Sequence, residues 1–217
     1  MMLPLHPALQ GAMKQLLTLA IALAALSTGG HATAYETRAY EVLEEDGRFA
    51  LRDYAPAIVA ETIVEGDFED VGGEAFRILV AYISGKNASR DEISMTTPVA
   101  QEPQSQKLSM TTPVTQERDD RGYRVTFVMP ARFTLESLPE PTDPRVVLRA
   151  EPRRKVASVR YSGFWSRENY DRHLVMLRQW MQDRGLEPEG EPVWARYDPP
   201  FMPWFWRTNE ILLSVGD

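Results

Sequence analysis

Alternating apolar and polar residues predict β-strands in the first third of the chain. Tyr40–Leu43 and Phe49–Arg52 lie on either side of Asp46-Gly47. Asp-Gly between two such stretches is a strong hairpin signal. A third stretch, Ala57–Val64, is rich in the β-branched residues that favour strands. The pattern therefore predicts a hairpin followed by one more strand.

Two later segments carry apolar residues at helical spacing. The first helix begins after Asp67 or Asp70 and ends before Gly85, and the second has Ser166 as its expected N-cap and ends before Gly185. The apolar positions that define them are Val71, Ala75, Ile78, Leu79 and Tyr82 in the first helix, and Tyr170, Leu174, Leu177 and Met181 in the second.

The order strands, helix, strands occurs twice along the chain. The remaining strand patterns are Tyr123–Met129, Val146–Leu148, Val156–Tyr161 and Glu210–Val215. The proline-rich stretch Pro139–Pro144 separates the two halves, and the proline-rich segment Tyr197–Trp206 is expected to lie across the domain as an aromatic lid. We therefore expect an α+β domain of two similar halves, built around an antiparallel sheet or open barrel and flanked by two helices.

One short phrase is repeated fifteen residues apart, as Ser94–Val99 and Ser109–Val114. Thr-Thr-Pro favours extended backbone, so each copy predicts a short strand that ends at a proline and lies at an edge or a bulge. Each copy also places a methionine, Met95 or Met110, beside two hydroxyls. Methionine packs well against flat apolar surfaces, so the copies are either two arms of one ligand site or a duplicated edge strand without a ligand.

The first 34 residues have the layout of a cleaved export signal. Lys14 supplies the positive charge, Leu16–Leu26 the apolar run, and Ala32-Thr33-Ala34 the small-x-small cleavage pattern, with Met1 or Met13 as the start. A retained membrane anchor is the alternative, but the run is shorter than the roughly 20 residues that span a bilayer. We expect residues 35–217 to be a single domain in the periplasm or outside the cell.

Charge and cysteine content narrow the function. The formal net charge is −7, which argues against nucleic acid as a partner. The chain has no cysteine, so disulfides, thiolate metal sites and covalent attachment through C-x-x-C-H do not arise. The sequence does not indicate an oligomeric state.

Histidine is scarce. His6 and His31 fall in the predicted signal, which leaves His173, and the Gly-x-Ser-x-Gly phrase of serine hydrolases does not occur before a helix. No catalytic arrangement is recognised. His173 flanks the apolar face of the second helix, so it can be an axial iron ligand, a pocket wall or a boundary residue. The nine methionines and five tryptophans favour a pocket for a flat apolar molecule, although a well-filled core would use them too.

Seven phrases, in order along nearly all of residues 35–217, resemble the SOUL family of haem-binding proteins. They are Tyr40–Leu43, Tyr82–Asn87, the paired Met-Thr-Thr-Pro-Val phrases, Val128–Pro130, Leu138–Pro141, Phe164–Ser166, and Tyr197–Pro200 with Arg207–Glu210. The resemblance implies a distorted antiparallel barrel of two similar halves with two flanking helices. It also implies non-covalent binding of haem or a related tetrapyrrole.

The resemblance suggests which side chains would hold such a ligand. The macrocycle would lie against Met95, Met110, Met129 and the aromatic tail with Trp204, and its propionates near Lys86, Arg153 or Arg154. One type of family member uses a histidine in the N-terminal half as iron ligand, and residues 35–217 have none there. A methionine, a tyrosine or His173 would then be a weak axial ligand.

Three other functions fit the same residues. One is a binding module for other flat hydrophobic molecules. Another is a tetrapyrrole-processing enzyme that removes the metal with carboxylates and hydroxyls. The last is an envelope scaffold without a ligand, whose Pro/Trp tail contacts a partner.

Overall fold

The structure is a computed structural model that describes residues 36–89 and 105–216. They belong to one compact unit, Tyr35–Asp217. The predicted export signal and the first copy of the repeated phrase, with Met95, lie outside the described residues. No helix in the described ranges is long and apolar enough to cross a bilayer.

The described chain contains two α-helices, a short 3-10 turn at Trp204–Trp206, and thirteen strands. The helices are α1, Val71–Ile83, and α2, Arg167–Gln182. The strands are β1 Glu36–Thr37, β2 Tyr40–Asp46, β3 Phe49–Tyr54, β4 Ala57–Val64, β5 Asn87–Ala88, β6 Thr111–Thr112, β7 Val114–Asp119, β8 Gly122–Val128, β9 Glu140–Pro141, β10 Val147–Glu151, β11 Arg154–Tyr161, β12 Pro188–Arg196 and β13 Asn209–Val215.

Nine strands form one antiparallel sheet in the order β10-β4-β8-β7-β12-β13-β11-β3-β2. The unit β4-α1-β7-β8 has the same element order as β11-α2-β12-β13, and the two units meet where β7 pairs with β12. The α+β class, the two helices and the antiparallel sheet are thus confirmed. In the described residues the ladder is open between β2 and β10, so barrel closure stays a prediction.

Local signals explain both helix starts. Ser166 has extended backbone and its side chain accepts a hydrogen bond from the Asn169 N–H, so the predicted N-cap of α2 is present. Asp70 precedes α1, but its side chain makes no capping hydrogen bond. Glu74 in the first turn still favours this end of α1 through the helix dipole.

The second copy of the repeated phrase forms a short edge strand that ends before its proline, as predicted. Thr111–Thr112 pairs with β1 in a two-stranded sheet, and after Pro113 the chain continues into β7, which lies in the middle of the nine-stranded sheet. Pro113 lies between β6 and β7, so it does not have to donate a hydrogen bond to the sheet. The sequence pattern does not predict β12, because its Pro188–Pro192 half resembles a loop, and the pairing of this half with β13 is irregular.

Each face of the sheet has its own apolar cluster. Both helices pack on the larger cluster, which includes Leu79, Phe127, Leu177 and Trp194. Val193 and Ala195, which alternate with Trp194 along β12, belong to a smaller cluster with Tyr54, Val156 and Leu212. This alternation is the period-two pattern of a strand that is buried on both faces.

A buried ion pair lies beside the smaller cluster. Arg52 on β3 donates two hydrogen bonds of 2.8 Å to Glu210 on β13, whose exposed fraction is 0%. The same carboxylate accepts hydrogen bonds from Arg160 Nε (3.1 Å) and the Tyr197 hydroxyl (2.6 Å). Burial would raise the pKa of Glu210, but the hydrogen bonds from Arg52 and Tyr197 outweigh it and lower the pKa.

Removal of one partner should therefore destabilise the fold strongly. We expect Glu210→Gln to lower the free energy of unfolding by about 3 to 5 kcal/mol, because Arg52 would stay buried without a counter-charge. Since the folded-state pKa of Glu210 is lowered, its contribution is present above the unfolded pKa and is lost as pH falls from about 4.3. Urea unfolding at pH 7 and pH 4 measures both effects. Asp143→Asn, which removes the partner of the exposed Arg145, is the control and should stay close to wild type.

Candidate functional site

The segment between β12 and β13 contributes to the walls of two hollows. Residues 197–200 line one hollow and residues 205–208 line the other. Arg207 fixes the segment, since its guanidinium donates to the carbonyls of Met202 (2.8 Å) and Pro200 (2.7 Å). The Tyr197 hydroxyl anchors the beginning of the segment to buried Glu210.

The first hollow, called here the apolar cavity, lies beside the N-terminal end of α1. Its volume is ≈ 210 Å³. Phe76, Met110, Val114 and Trp165 supply apolar walls, and Arg196 supplies the cationic group. The other lining residues are Gly72, Gly73, Thr111, Thr112, Tyr197, Asp198, Pro199 and Pro200.

Arg196 is the last residue of β12 and lies between two indole rings. Its guanidinium carbon is 4.8 Å from the Trp194 ring centre and 5.3 Å from that of Trp165. Nη2 donates to Gln116 Oε1 over 3.2 Å. Loss of hydration lowers the pKa of Arg196 to about 10, so the group is still a cation at pH 7.

The second hollow, called here the histidine groove, has a volume of ≈ 540 Å³. It is lined by His173 from α2 and by the exposed rings of Phe205 and Trp206. The other lining residues are Arg48, Arg160, Tyr161, Ser162, Arg207 and Thr208. This lining contains three arginines and no carboxylate, although the chain as a whole is acidic.

His173 presents one ring nitrogen for coordination. Nδ1 lies 2.7 Å from the Asn169 carbonyl oxygen, so in the neutral ring the proton belongs on Nδ1 and Nε2 keeps its lone pair. The ring stacks on Tyr161 with centres 4.1 Å apart. Burial lowers the pKa of His173, and the charges of Arg172 and Arg48 act in the same direction. The imidazole is therefore neutral at pH 7, which is the form that binds metals.

The arginines of the groove differ in how much of their charge is compensated. Arg160 pairs with Glu210 but is 57% exposed in its side chain. Arg207 donates to two carbonyls, and no carboxylate of residues 36–89 or 105–216 lies within ion-pair distance of it. In the described ranges, Arg48 likewise has no carboxylate within ion-pair distance. The groove is consequently a local patch of positive charge on an acidic protein.

Comparison with known families matches this sequence to one described as SOUL heme-binding protein, over residues 35–214. The chain belongs to the SOUL family. That membership indicates haem as the ligand class. The matched residues cover nearly the whole compact unit, Tyr35–Asp217. A search of curated proteins found no match.

Solved structures of other proteins share the fold of this SOUL-family chain. The EcmrR C-terminal domain is 15% identical with a TM-score of 0.53, and the match covers 82% of this chain and 98% of that one. A hydrolase from Listeria innocua is 12% identical with a TM-score of 0.53, and covers 80% and 94%. An uncharacterised protein from the same organism is 14% identical with a TM-score of 0.50, and covers 84% and 94%. Identities this low show the fold alone.

The structure separates the residues predicted to hold the ligand. Met110 lines the apolar cavity, His173 lines the histidine groove, and Trp204 stacks on Phe164 at 5.0 Å on the exposed segment between them. Met129 lines a different hollow beside Arg38 and is 4% exposed.

The three predicted propionate partners lie elsewhere. Lys86 lines a surface hollow with Asp143 and Arg145. Arg154 contacts Glu151 (3.6 Å) and Ser214 (3.4 Å), and the neighbouring Arg153 pairs with Asp53. Met110, Met129, Lys86, Arg154 and His173 therefore do not form one site.

The sequence patterns do not identify several of the residues that line the two hollows. Arg196 lies on the same face of β12 as Trp194, but the sequence pattern does not predict this strand, so it predicts no face for the arginine. Arg48 and Arg160 come from different strands or turns and meet only through the pairing of β11 with β3. The sequence contains the run Phe205-Trp206-Arg207. These residues line the histidine groove only because of the path that the segment between β12 and β13 takes.

His173 should titrate below the ordinary histidine range. Because burial lowers its pKa, the unfolded state binds the proton more readily, so stability should fall as pH drops through about 6.5. Histidine NMR signals followed against pH, with His173→Gln for assignment, measure the shift. An unchanged pKa near 6.5 would mean that the ring is hydrated rather than buried.

Proposed function

We propose that this protein binds haem or a related tetrapyrrole non-covalently in the histidine groove. The observation that carries the proposal is that one groove contains a neutral imidazole with a free Nε2, three arginines and two exposed aromatic rings. Haem needs these three kinds of group: an iron ligand, cations for two carboxylates and apolar surface for the macrocycle. Membership of the SOUL family supports the ligand class.

Size favours the groove over the apolar cavity. Ligand sites for drug-sized molecules have volumes of about 300 to 1,000 Å³. The groove, at ≈ 540 Å³, falls in this range, whereas the cavity, at ≈ 210 Å³, falls below it. A macrocycle can lie along the groove, but the cavity is too small to enclose it.

His173 is arranged as metal-binding histidines usually are. Such residues donate their second ring N–H to a carbonyl or carboxylate, which fixes the tautomer and the ring orientation. The Nδ1 contact to Asn169 and the stacking on Tyr161 have this effect. Nε2 of His173 would donate its lone pair to the iron of a bound haem, and that iron would supply the redox chemistry.

The remaining groove residues hold the periphery of the ligand. Arg48 and Arg207 offer guanidinium groups to the carboxylates, and Phe205 and Trp206 offer rings that are 51% and 69% exposed. Burial of these rings against a macrocycle removes apolar surface from water and so favours binding.

We further infer that binding takes place in the cell envelope. The argument is the signal-like layout of residues 1–34, with its positive charge, apolar run and Ala-Thr-Ala site. Cell fractionation followed by N-terminal sequencing tests it, and a protein that retains its first 34 residues in the cytoplasm would contradict it.

The direct test of the groove is a haemin titration followed by the Soret band. We expect a dissociation constant in the micromolar range, about −8 kcal/mol. His173→Gln should shift the Soret maximum and weaken binding at least tenfold, about 1.4 kcal/mol. The matched control is Met110→Leu, which alters the cavity only and should bind as wild type.

Two outcomes would overturn the proposal. One is haemin binding that His173→Gln leaves unchanged while Met110→Leu impairs it. The other is no binding at all by folded protein, as judged by circular dichroism.

The arginines should recognise the carboxylates specifically. Arg48→Gln is expected to weaken binding of protoporphyrin about tenfold, and to leave its dimethyl ester unaffected, because the ester has no charge to pair. Arg178→Gln on α2, outside the groove lining, is the control. Fluorescence titration with both porphyrins measures the effect, and an equal loss for acid and ester would contradict it.

A further inference from the structure

The apolar cavity contains a charge that the proposed haem site does not use. Among the described residues, Arg196 makes one hydrogen bond, to the neutral side chain of Gln116. In the described part of the chain, no carboxylate lies within ion-pair distance of it. A cation removed from water is costly unless an anion and hydrogen bonds compensate it.

The surrounding rings hold Arg196 in place without neutralising it. Trp165 and Trp194 contact the guanidinium through cation–π interactions, which fix its plane and cover it. Gly72 makes room on the helix side: a Cβ at this position would lie 2.7 Å from both Nη atoms. The helix backbone thus approaches the cation closely because residue 72 is glycine.

The other polar groups of the cavity do not supply the missing anion. Asp198 lies on the wall, but its carboxylate accepts the backbone N–H of Thr208. The Thr111 hydroxyl donates to the Val128 carbonyl. Gly72 and Gly73 belong to the first turn of α1, whose dipole adds to the positive potential of Arg196.

The rest of the wall is apolar and sets the size of a ligand. Phe76, Met110, Val114 and Trp165 face the space beside the guanidinium. An apolar cavity of about 150 Å³ is sufficient for benzene. The volume of ≈ 210 Å³ therefore suits one ring, or a short branched chain, together with a carboxylate.

We propose that the apolar cavity is a second ligand site, for a small monocarboxylate with a single aromatic ring or a short alkyl chain. The carboxylate pairs with the guanidinium of Arg196, and the apolar part lies between Phe76, Met110 and Trp165. This site is separate from the histidine groove and does not depend on haem binding.

Benzoate is a suitable probe, with benzamide as its uncharged control. In the full-length protein labelled with ¹³C-methyl methionine, benzoate should shift the Met110 methyl signal saturably, with assignment from Met110→Leu. Benzamide should bind at least tenfold more weakly, because it cannot neutralise Arg196. Benzoate should also raise the melting temperature.

Variants separate the charge from the shape of the cavity. Arg196→Met should abolish benzoate binding and leave the protein folded, since an apolar side chain of similar length replaces an uncompensated cation. Gly72→Ala keeps the charge but crowds the guanidinium, and should weaken benzoate at least tenfold. Arg118→Met, outside the cavity lining, should have no effect.

Haemin titrations show whether the two sites are independent. His173→Gln should leave benzoate affinity unchanged, and Arg196→Met should leave haemin affinity unchanged. Failure of haemin binding alone would thus overturn the groove and not the cavity.

Three results would overturn the cavity proposal. The first is no saturable shift, and the second is equal affinity for benzoate and benzamide. The third is benzoate binding that occurs only after Asp91→Asn, Glu92→Gln and Glu102→Gln are combined. These acids lie outside the described residues, and that result would identify an internal carboxylate as the partner of Arg196.

Discussion

The buried carboxylate of Glu210 connects the sheet to the walls of both hollows. It receives Arg52 from β3, Arg160 from β11 and Tyr197 from the start of the segment between β12 and β13. Arg160 is a wall of the histidine groove, and Tyr197 is a wall of the apolar cavity. A residue with no exposed surface therefore positions groups on two separate hollows. The pair needs its full set of hydrogen bonds, because a buried charge is tolerated only when it is compensated.

The arginines of the two hollows differ in their exposure to water. In the groove, Arg48 and Arg160 are exposed to solvent, so they can attract an anionic ligand at little cost. In the cavity, Arg196 is enclosed by rings and its pKa falls to about 10 through lost hydration. The groove thus suits a large planar dicarboxylate, and the cavity suits a small monocarboxylate. Residues 197–200 line the cavity and residues 205–208 line the groove, so one segment contributes to both walls.

Sequence patterns predicted the parts of the fold that depend on local chemistry. The Ser166 cap, the Asp46-Gly47 hairpin and the boundaries of β4 need only neighbouring residues, and all three are present. The strand β12 was missed because Glu-Pro-Glu-Gly-Glu-Pro locally favours a loop, and only pairing with β7 and β13 makes it a strand. The candidate site was harder still. His173 and Met110 were named from residue type, but their assignment to different hollows follows from sheet order and the path of residues 197–208, which periodicity does not report.

We propose that a tetrapyrrole lies in the histidine groove, with His173 at its iron. A crystal structure of the haemin complex is the decisive measurement. We expect the macrocycle against Phe205 and Trp206, the iron bonded to His173 Nε2, and the carboxylates beside Arg48 and Arg207. Haem bound at the apolar cavity, with Met110 against the ring and His173 free, would contradict it.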